Sequence, residues 1–341
     1  MSKLTDIISE YKRLGIPDQI DYEKLYLYSI ITHSTAVEGS TVTELENQLM
    51  FDEGITPNKP LAEQLINLDL KNTYIEALTI AKQHIDYSVE LLCHLSGLVM
   101  KNTGTEYNTM LGSFNSAKGD LRLLNVKAGR GGKSYMSYQK VPQRLEDYCN
   151  WLNTQRRNIS ADDIDKIYEL SFLVHYNLVY IHPWADGNGR MSRLVMNMLQ
   201  SEFGVIPSIV KREKREEYIK SLDKSQTEGD PAAFVDFMCK HHIDNLDSII
   251  KDYKKSIEDD TLNLENDTLN DTLNASSNLS EKESRILELI KSDTNITIGD
   301  IVEKTGYSRP TVTRAIQTLK ECGLLGRIGA KKDGHWDVKT K

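Results

Sequence analysis

The chain is poor in the residues that would place it outside an ordinary globular interior. Its four cysteines, Cys93, Cys149, Cys239 and Cys322, lie far apart with no C-x-x-C pair, a pattern that suits neither a zinc site nor a disulfide framework. A reducing, cytoplasmic setting is the expectation. No apolar run approaches the roughly 18 residues of a membrane helix, which argues against an integral membrane protein. Residues 1–10, Met-Ser-Lys-Leu-Thr-Asp-Ile-Ile-Ser-Glu, put an acid where a secretory signal needs its apolar stretch. Positive charge is also scarce. The 42 Lys and Arg stand against 50 Asp and Glu, a net charge of -8, so the whole chain is not expected to coat a polyanion. No repeat of roughly 20 to 50 residues is present.

What is there is globular in composition, 39% hydrophobic and 27% charged over 341 residues, enough for roughly two or three folded units. Charge is unevenly placed: Ser280 to Lys341 holds twelve Lys and Arg against nine Asp and Glu. Between about Ser256 and Ser280 the composition turns to Asp, Asn, Thr, Ser and Leu, with Asp-Thr-Leu-Asn starting at 260, 267 and 271. Such a stretch has little apolar area to offset ordering entropy, which predicts a linker or short helix at 251–279. Upstream, Ile164, Ile167, Tyr168, Phe172, His175, Leu178 and Val179 recur at helical steps, and the pattern resumes as Met191, Leu194, Val195, Met198 and Leu199. Two helices therefore flank the loop 182–188, and further helices are predicted near 22–37, 61–80, 84–100 and 142–153. Leu121 to Tyr138 differs: a glycine-rich turn between strand-forming residues predicts a β-hairpin. Its Gly129-Arg130-Gly131-Gly132-Lys133-Ser134 is no Walker loop, because Lys127 stands where the first glycine is required.

The most informative stretch is His182-Pro183-Trp184-Ala185-Asp186-Gly187-Asn188-Gly189-Arg190, followed by Arg193. Its two glycines let the backbone approach a ligand closely, and the helix that follows opens with N–H groups that have no intrahelical partner. Such a terminus binds anions. Arg190 and Arg193 share one helical face and can grip neighbouring phosphates through charge-assisted hydrogen bonds. Asp186 is a candidate ligand for the Mg²⁺ that accompanies a polyphosphate, and His182 is a candidate general base near neutral pH.

This stretch resembles the signature of the Fic family, H-P-F-x-D-G-N-G-R-x-x-R, with Trp184 in place of the usual Phe. The resemblance implies a mainly α fold, a Fic-type helical core with a β-hairpin flap; separately, the order of elements from Leu279 onward reads as a C-terminal winged helix-turn-helix domain. The resemblance also implies transfer of AMP from ATP, with Mg²⁺, to a Ser, Thr or Tyr hydroxyl of a target protein, this chain itself included. By the same resemblance His182 is the base and Asp186 the metal ligand. Gly187, Asn188 and Gly189 form the anion hole, Arg190 meets the β-phosphate and Arg193 the γ-phosphate. Asn197, on the same helical face, is a candidate for lining the nucleotide pocket. The hairpin residues Val126, Lys127, Gly129, Tyr135 and Met136 form the flap that docks a target segment by strand addition. Asn115 departs from the family, which often carries Arg there.

Near the N-terminus, Ser34-Thr35-Ala36-Val37-Glu38-Gly39 is similar to the family's inhibitory motif, [S/T]-x-x-x-E-[G/N]. Ser34 and Glu38 share a helical face, Gly39 is a natural helix stop, and Thr41-Val42-Thr43-Glu44 offers a capping box for the next helix. An acid in a last turn meets the negative end of the helix dipole, a cost of about 0.3 to 1 kcal/mol, so it calls for a cationic partner. The resemblance names Arg193, and autoinhibition by Glu38. The expected organisation is an N-terminal helical region (1–100, with the inhibitory helix at about 24–39), a catalytic core (101–250), the linker and a winged helix (280–341).

In that last module, Ile296 to Ile298 reads as a short β-like segment, Gly306 as a turn, Ser308 as a helix start and Gly334 as the tip of a wing. Arg309, Arg314, Lys320, Arg327, Lys331 and Lys332 are the candidate contacts to duplex DNA. The bland counterpart is a dimerisation or target-docking domain, with a homodimer as the partner. A nucleotide-sensing DNA-binding regulator and removal of AMP by the same site are the alternative functions; transfer of a phosphate or phosphocholine group fits the two arginines less well. His33, His84, His94, His241 and His242 make no metal pattern.

Overall fold

The computed structural model describes residues 3–19, 21–127, 134–270, 279–321, 324–328 and 335–338. The chain divides into two compact units, 1–249 and 250–341.

The first unit is helical. Helices α1 (Lys3–Arg13), α2 (Tyr22–Val37), α3 (Glu44–Asp52), α4 (Leu61–Ala81) and α5 (Val89–Val99) precede a hairpin of β1 (Glu106–Thr109) and β2 (Gly112–Asn115). Helices α6 (Val141–Arg157), α7 (Ile164–Ile181), α8 (Asn188–Glu202) and α9 (Arg215–Glu228) follow, and α10 (Ala232–Asn270) begins in this unit and continues past its end at residue 249. The predicted helices near 22–37, 61–80 and 142–153 form, and the one expected at 84–100 is helical over Val89–Val99. α8 carries buried residues on every side, from Met191 and Leu194 to Ser192 and Gln200, as a helix packed against α7, α4, α5 and α2 must. Leu70, Leu92, Leu95, Leu178 and Leu194 are wholly buried in the core around it, each stabilising the fold by about 1.5–3 kcal/mol relative to exposure.

The C-terminal end of α2 is bolted by a buried polar network. Thr35 Oγ1 donates to Asn67 Oδ1 (2.8 Å), and Asn47 Nδ2 donates to Thr32 Oγ1 (2.7 Å) and Asn67 Oδ1 (3.0 Å). Burial strengthens such bonds and fixes α2 against α3 and α4. The cap of α3 is not the expected Thr41–Glu44 pair: Thr43 and Glu46 form the capping box, while the Thr41 hydroxyl donates to Glu63.

Two stretches differ in detail from the expectation. The regular antiparallel hairpin is β1–β2, pairing Glu106 with Asn115 and Thr109 with Gly112. Its cross-strand Tyr107–Phe114 stack, 4.9 Å between ring centroids, supplies the pairing that weak apolar alternation concealed. In the segment 121–138, the expected hairpin retains one antiparallel bridge, Lys127 with Ser134, and a Tyr135 N–H bond to the Val126 carbonyl (3.0 Å). Gly129 lies outside the described residues. The expected linker is helical as far as Asn270, because extending a nucleated helix needs no second nucleus; residues 271–278 lie outside the description.

The second unit has α11 (Glu281–Ser292), α12 (Ile298–Thr305), α13 (Arg309–Glu321) and an antiparallel wing of β3 (Leu325–Ile328) and β4 (His335–Val338). Ile286, Ile290, Ile301, Val312 and Leu319 are buried between them. The β-like segment at 296–298 is instead a helix start: Thr297 caps α12, with Asp300 completing the box. The Trp336 amide still reaches the Thr294 carbonyl (2.8 Å), and its indole N–H reaches Ile296 O (2.8 Å). Among the described residues no helix is long and apolar enough to cross a membrane.

Candidate active site

The loop between α7 and α8 is shaped by strain at one end and bracing across the middle. His182 ends α7 in the left-handed region, φ 53°, with its N–H on Leu178 O. A non-glycine residue there costs about 1–3 kcal/mol, a strain concentrated at functional sites. Trp184 is fully buried, and its indole donates to Gly119 O (3.1 Å). The wider aromatic thus brings a hydrogen bond that Phe would lack. Asn188 braces the loop from within: its Oδ1 accepts from Trp184 N (3.1 Å) and its Nδ2 donates to Trp184 O (2.9 Å). The Asn188 side chain is therefore structural, and its backbone N–H is what remains for an anion. Gly187, φ 79°, turns the chain into α8, and a Cβ there would crowd Met100 Sδ at 2.9 Å.

Arg190 is almost fully buried, yet its Nε and Nη1 have no hydrogen-bond partner. Nη2 lies 3.2 Å from Met100 Sδ and 3.7 Å from Asp186 Oδ1. Leaving charged donors buried and unmatched costs about 1–3 kcal/mol or more, so an anion supplied from outside fits this position. Arg193 is fully matched. Its Nε donates to Ser34 Oγ (2.8 Å), Nη2 to Ser34 O (2.9 Å) and Glu38 Oε1 (2.7 Å), and Nη1 to Tyr218 OH (3.4 Å).

Glu38 caps α2, and the last carbonyls of that helix all find donors. Ser34 O takes Arg193, Thr35 O takes the amides of Glu38 and Ser40, Ala36 O takes Gly39 N, and Val37 O takes Arg215 Nε (2.6 Å). Two arginines thus supply the cations that the negative end of the dipole favours. Burial would raise the Glu38 carboxyl, but Arg193 above all, with Arg190 and Arg215 behind it, holds it below the usual carboxylate range. Its oxygen lies directly over Gly189, where a Cβ would overlap Glu38 Oε1 and approach Arg193 Nη1 at 3.2 Å. The carboxylate therefore stands over the first turn of α8.

His182 is half-buried beneath Tyr135, whose ring stacks on it with centroids 3.6 Å apart and 13° between planes. Desolvation pushes its imidazole down to about 4, with Arg122 adding to that effect and the Val179 carbonyl, Glu38 and Asp186 opposing it. The ring is neutral near pH 7, as a base must be. Asp186 is exposed and its Oδ1 accepts from Gly187 N (2.6 Å).

Asn197 requires a correction. Both amide protons are engaged, by Gln200 Oε1 (3.1 Å) and Ser208 O (2.9 Å), and its oxygen accepts from Tyr74 (2.8 Å); it belongs to the core and offers a nucleotide no donor. Of the flap residues, Val126 and Tyr135 pair through their backbones, Lys127 bridges Ser134, and Met136 packs on the core. In the second unit, Arg309 opens α13, Arg314 follows on it, and Lys320 sits over the Trp336 ring (5.5 Å). Arg327 lies on β3, and Lys331 and Lys332 are outside the described residues.

Sequence reasoning missed Arg122, Arg215 and the Tyr218–His175 pair. Arg122 carried a faint signal as an arginine inside the leucine run 121–124. Arg215 sits in a charge run that reads as solvated surface. Tyr218 OH is 3.0 Å from His175 Nε2 and holds Arg193 from behind, a contact between residues 43 apart that no local pattern encodes.

The model of the Fic/DOC family matches residues 86–200, and that of the MarR family matches 277–334. Protein adenylyltransferase fic-1 of Caenorhabditis elegans is 28% identical over 274 residues, 80% of this chain and 48% of that protein. Protein adenylyltransferase Fic of Drosophila mojavensis is 31% identical over 217 residues, 61% of this chain and 38% of that protein. The chain spans less than half the length of these curated relatives. A Fic domain containing signaling protein from Bacteroides thetaiotaomicron shares the fold with TM-score 0.60 at 20% identity, covering 74% of this chain and 97% of its own. Residues 86–200 thus match the Fic/DOC family, and residues 277–334, which include the helices and wing of the second unit, match the MarR family.

Proposed function

We propose that the chain is a protein adenylyltransferase held at rest by Glu38. The observation that carries this reading is the coincidence, within one loop, of a neutral histidine, an N-terminal helix cradle and an arginine with two buried unmatched donors. The relatives named protein adenylyltransferase support it. ATP would lay its β- and γ-phosphates against the N–H groups of residues 188–190 and the guanidinium groups of Arg190 and Arg193, leaving the α-phosphorus toward His182. A Ser, Thr or Tyr hydroxyl of the target, or of this chain, attacks that phosphorus as His182 accepts its proton. The new O–P bond forms, the bond from the α-phosphorus to the bridging oxygen breaks, and pyrophosphate leaves. Asp186, an exposed carboxylate beside the cradle, fits Mg²⁺, which would take one or two protein carboxylates and phosphate oxygens and would supply charge neutralisation.

With Glu38 on Arg193, the γ-phosphate loses its partner and the cradle its mouth, so bound ATP is held out of line. The bridged segment 126–135 is proposed to dock the target backbone. For the C-terminal module the MarR match favours duplex DNA as partner; retention on duplex DNA that weakens steeply with salt supports this, and no retention even near 50 mM salt refutes it. The activity itself is tested by incubating wild type, Glu38→Gly and His182→Ala with α-labelled ATP and lysate. Label that appears with Glu38→Gly and vanishes with His182→Ala is expected. Equal labelling by all three would overturn the reading.

A further inference from the structure

Arg122 is 1% exposed and reaches both arms of the flap and the catalytic loop at once. Its Nε donates to His182 O (2.8 Å), its Nη1 to Leu124 O (2.7 Å) and its Nη2 to Met136 O, while its own amide donates to Pro183 O (3.1 Å). Every acceptor is a main-chain carbonyl, and among the described residues no carboxylate pairs with the guanidinium, whose basicity burial alone depresses. An unpaired buried cation is costly, and an apolar side chain of similar volume would hold a core better. The cost is matched by what the planar fork does: it seizes the carbonyl of His182, the residue held at φ 53°, and in the same plane ties residues 124 and 136, which lead into and out of the bridged segment.

We propose that Arg122 is a positioning residue for the transfer reaction, locking the left-handed backbone of His182 to the base of the flap so that target docking and alignment of the base are set together. The inference rests on the activity proposed above. The groups facing the imidazole are Arg122 from the flap base, Tyr135 stacked on it, Glu38 from α2 and Asp186 from its own loop. Arg122 lies outside the phosphate cradle, so its loss should reach the chemistry without reaching ATP.

The test uses the full chain carrying Glu38→Gly, with Arg122→Lys or Arg122→Gln added. Lysine keeps the charge and loses the fork; glutamine loses both. Transfer should fall about 100-fold in each, the effect of displacing a base by about 1 Å, while ATP affinity stays within about twofold. By NMR of the histidine rings, the titration midpoint of His182 should stay put in Arg122→Lys and move up in Arg122→Gln, a shift that a purely structural loss would not produce. Undiminished transfer, a parallel loss of ATP affinity, or unfolding of both variants would overturn the proposal. If the Glu38→Gly parent itself moves no AMP, the activity reading fails while the clamp is still decided, by that midpoint and by faster hydrogen exchange of the Tyr135 amide in both variants.

Discussion

Replacing Glu38 by glycine isolates the proposed brake, and the contacts of the carboxylate give its expected size. Glu38 provides one of four contacts to Arg193, alongside two from Ser34 and a longer one from Tyr218. Its side chain is 44% exposed, so the contact belongs at the lower end of hydrogen bonds to charged groups, about 1.5–2 kcal/mol. A competitor of that strength depresses the productive pose of ATP by about 10- to 30-fold. The initial rate of auto-AMPylation, followed with α-labelled ATP, should therefore rise by about that factor. Stability should change little, because Arg193 keeps its other partners: a loss of about 1 kcal/mol lowers Tm by about 2–4 °C. A labelling rate unchanged or reduced, in a protein that melts normally, would refute the reasoning.

His182→Ala should lower transfer by about 10²–10⁴-fold with ATP affinity retained; a parallel loss of affinity would assign His182 to binding. In the Glu38→Gly chain, transfer should be flat with respect to His182 from about pH 8 to 5.5 and fall only as the pH nears about 4, where the imidazole protonates. An acid limb near 6.5 would contradict the burial argument. Gly189→Ala puts a methyl into the space held by Glu38 Oε1 and beside Arg193, so ATP affinity should fall about tenfold or more even in the Glu38→Gly background; unchanged affinity would remove this glycine from the cradle. Buried His241 and His242 are pushed down to about 4 and about 3 by desolvation. The unfolded chain takes up their protons first, so stability should fall by about 1.4 kcal/mol per pH unit for each as pH drops from 6.5 toward 4, read as a declining Tm; a rising Tm would be the wrong sign.

The helices were legible because periodicity carries burial: α7 and α8 follow from Ile167, Phe172, Leu178, Met191 and Leu194 alone. The proposed cradle stood out in the sequence because its chemistry is local, with glycines, an acid, a histidine and two arginines packed into twelve residues. What stayed hidden was relational. Asn197 shares a face with Arg193, but sequence cannot say that Tyr74 and Ser208 would take up its amide. Arg122 is an arginine among leucines until the flap folds back and presents two carbonyls to it. The hairpin at 106–115 escaped because Tyr107 and Phe114 stack across strands too short to alternate visibly, and α10 runs into the expected linker because an established helix propagates through residues that would not nucleate one.

The central claim is that the turn after His182 seats the phosphates of ATP. Soaking crystals of the Glu38→Gly chain with Mg²⁺ and a non-hydrolysable ATP analogue tests it most directly. The account predicts phosphate density against the amides of residues 188–190 and the guanidinium of Arg190, with the α-phosphorus facing the His182 ring. An empty turn, or a nucleotide bound elsewhere with Arg190 still unmatched, would contradict it.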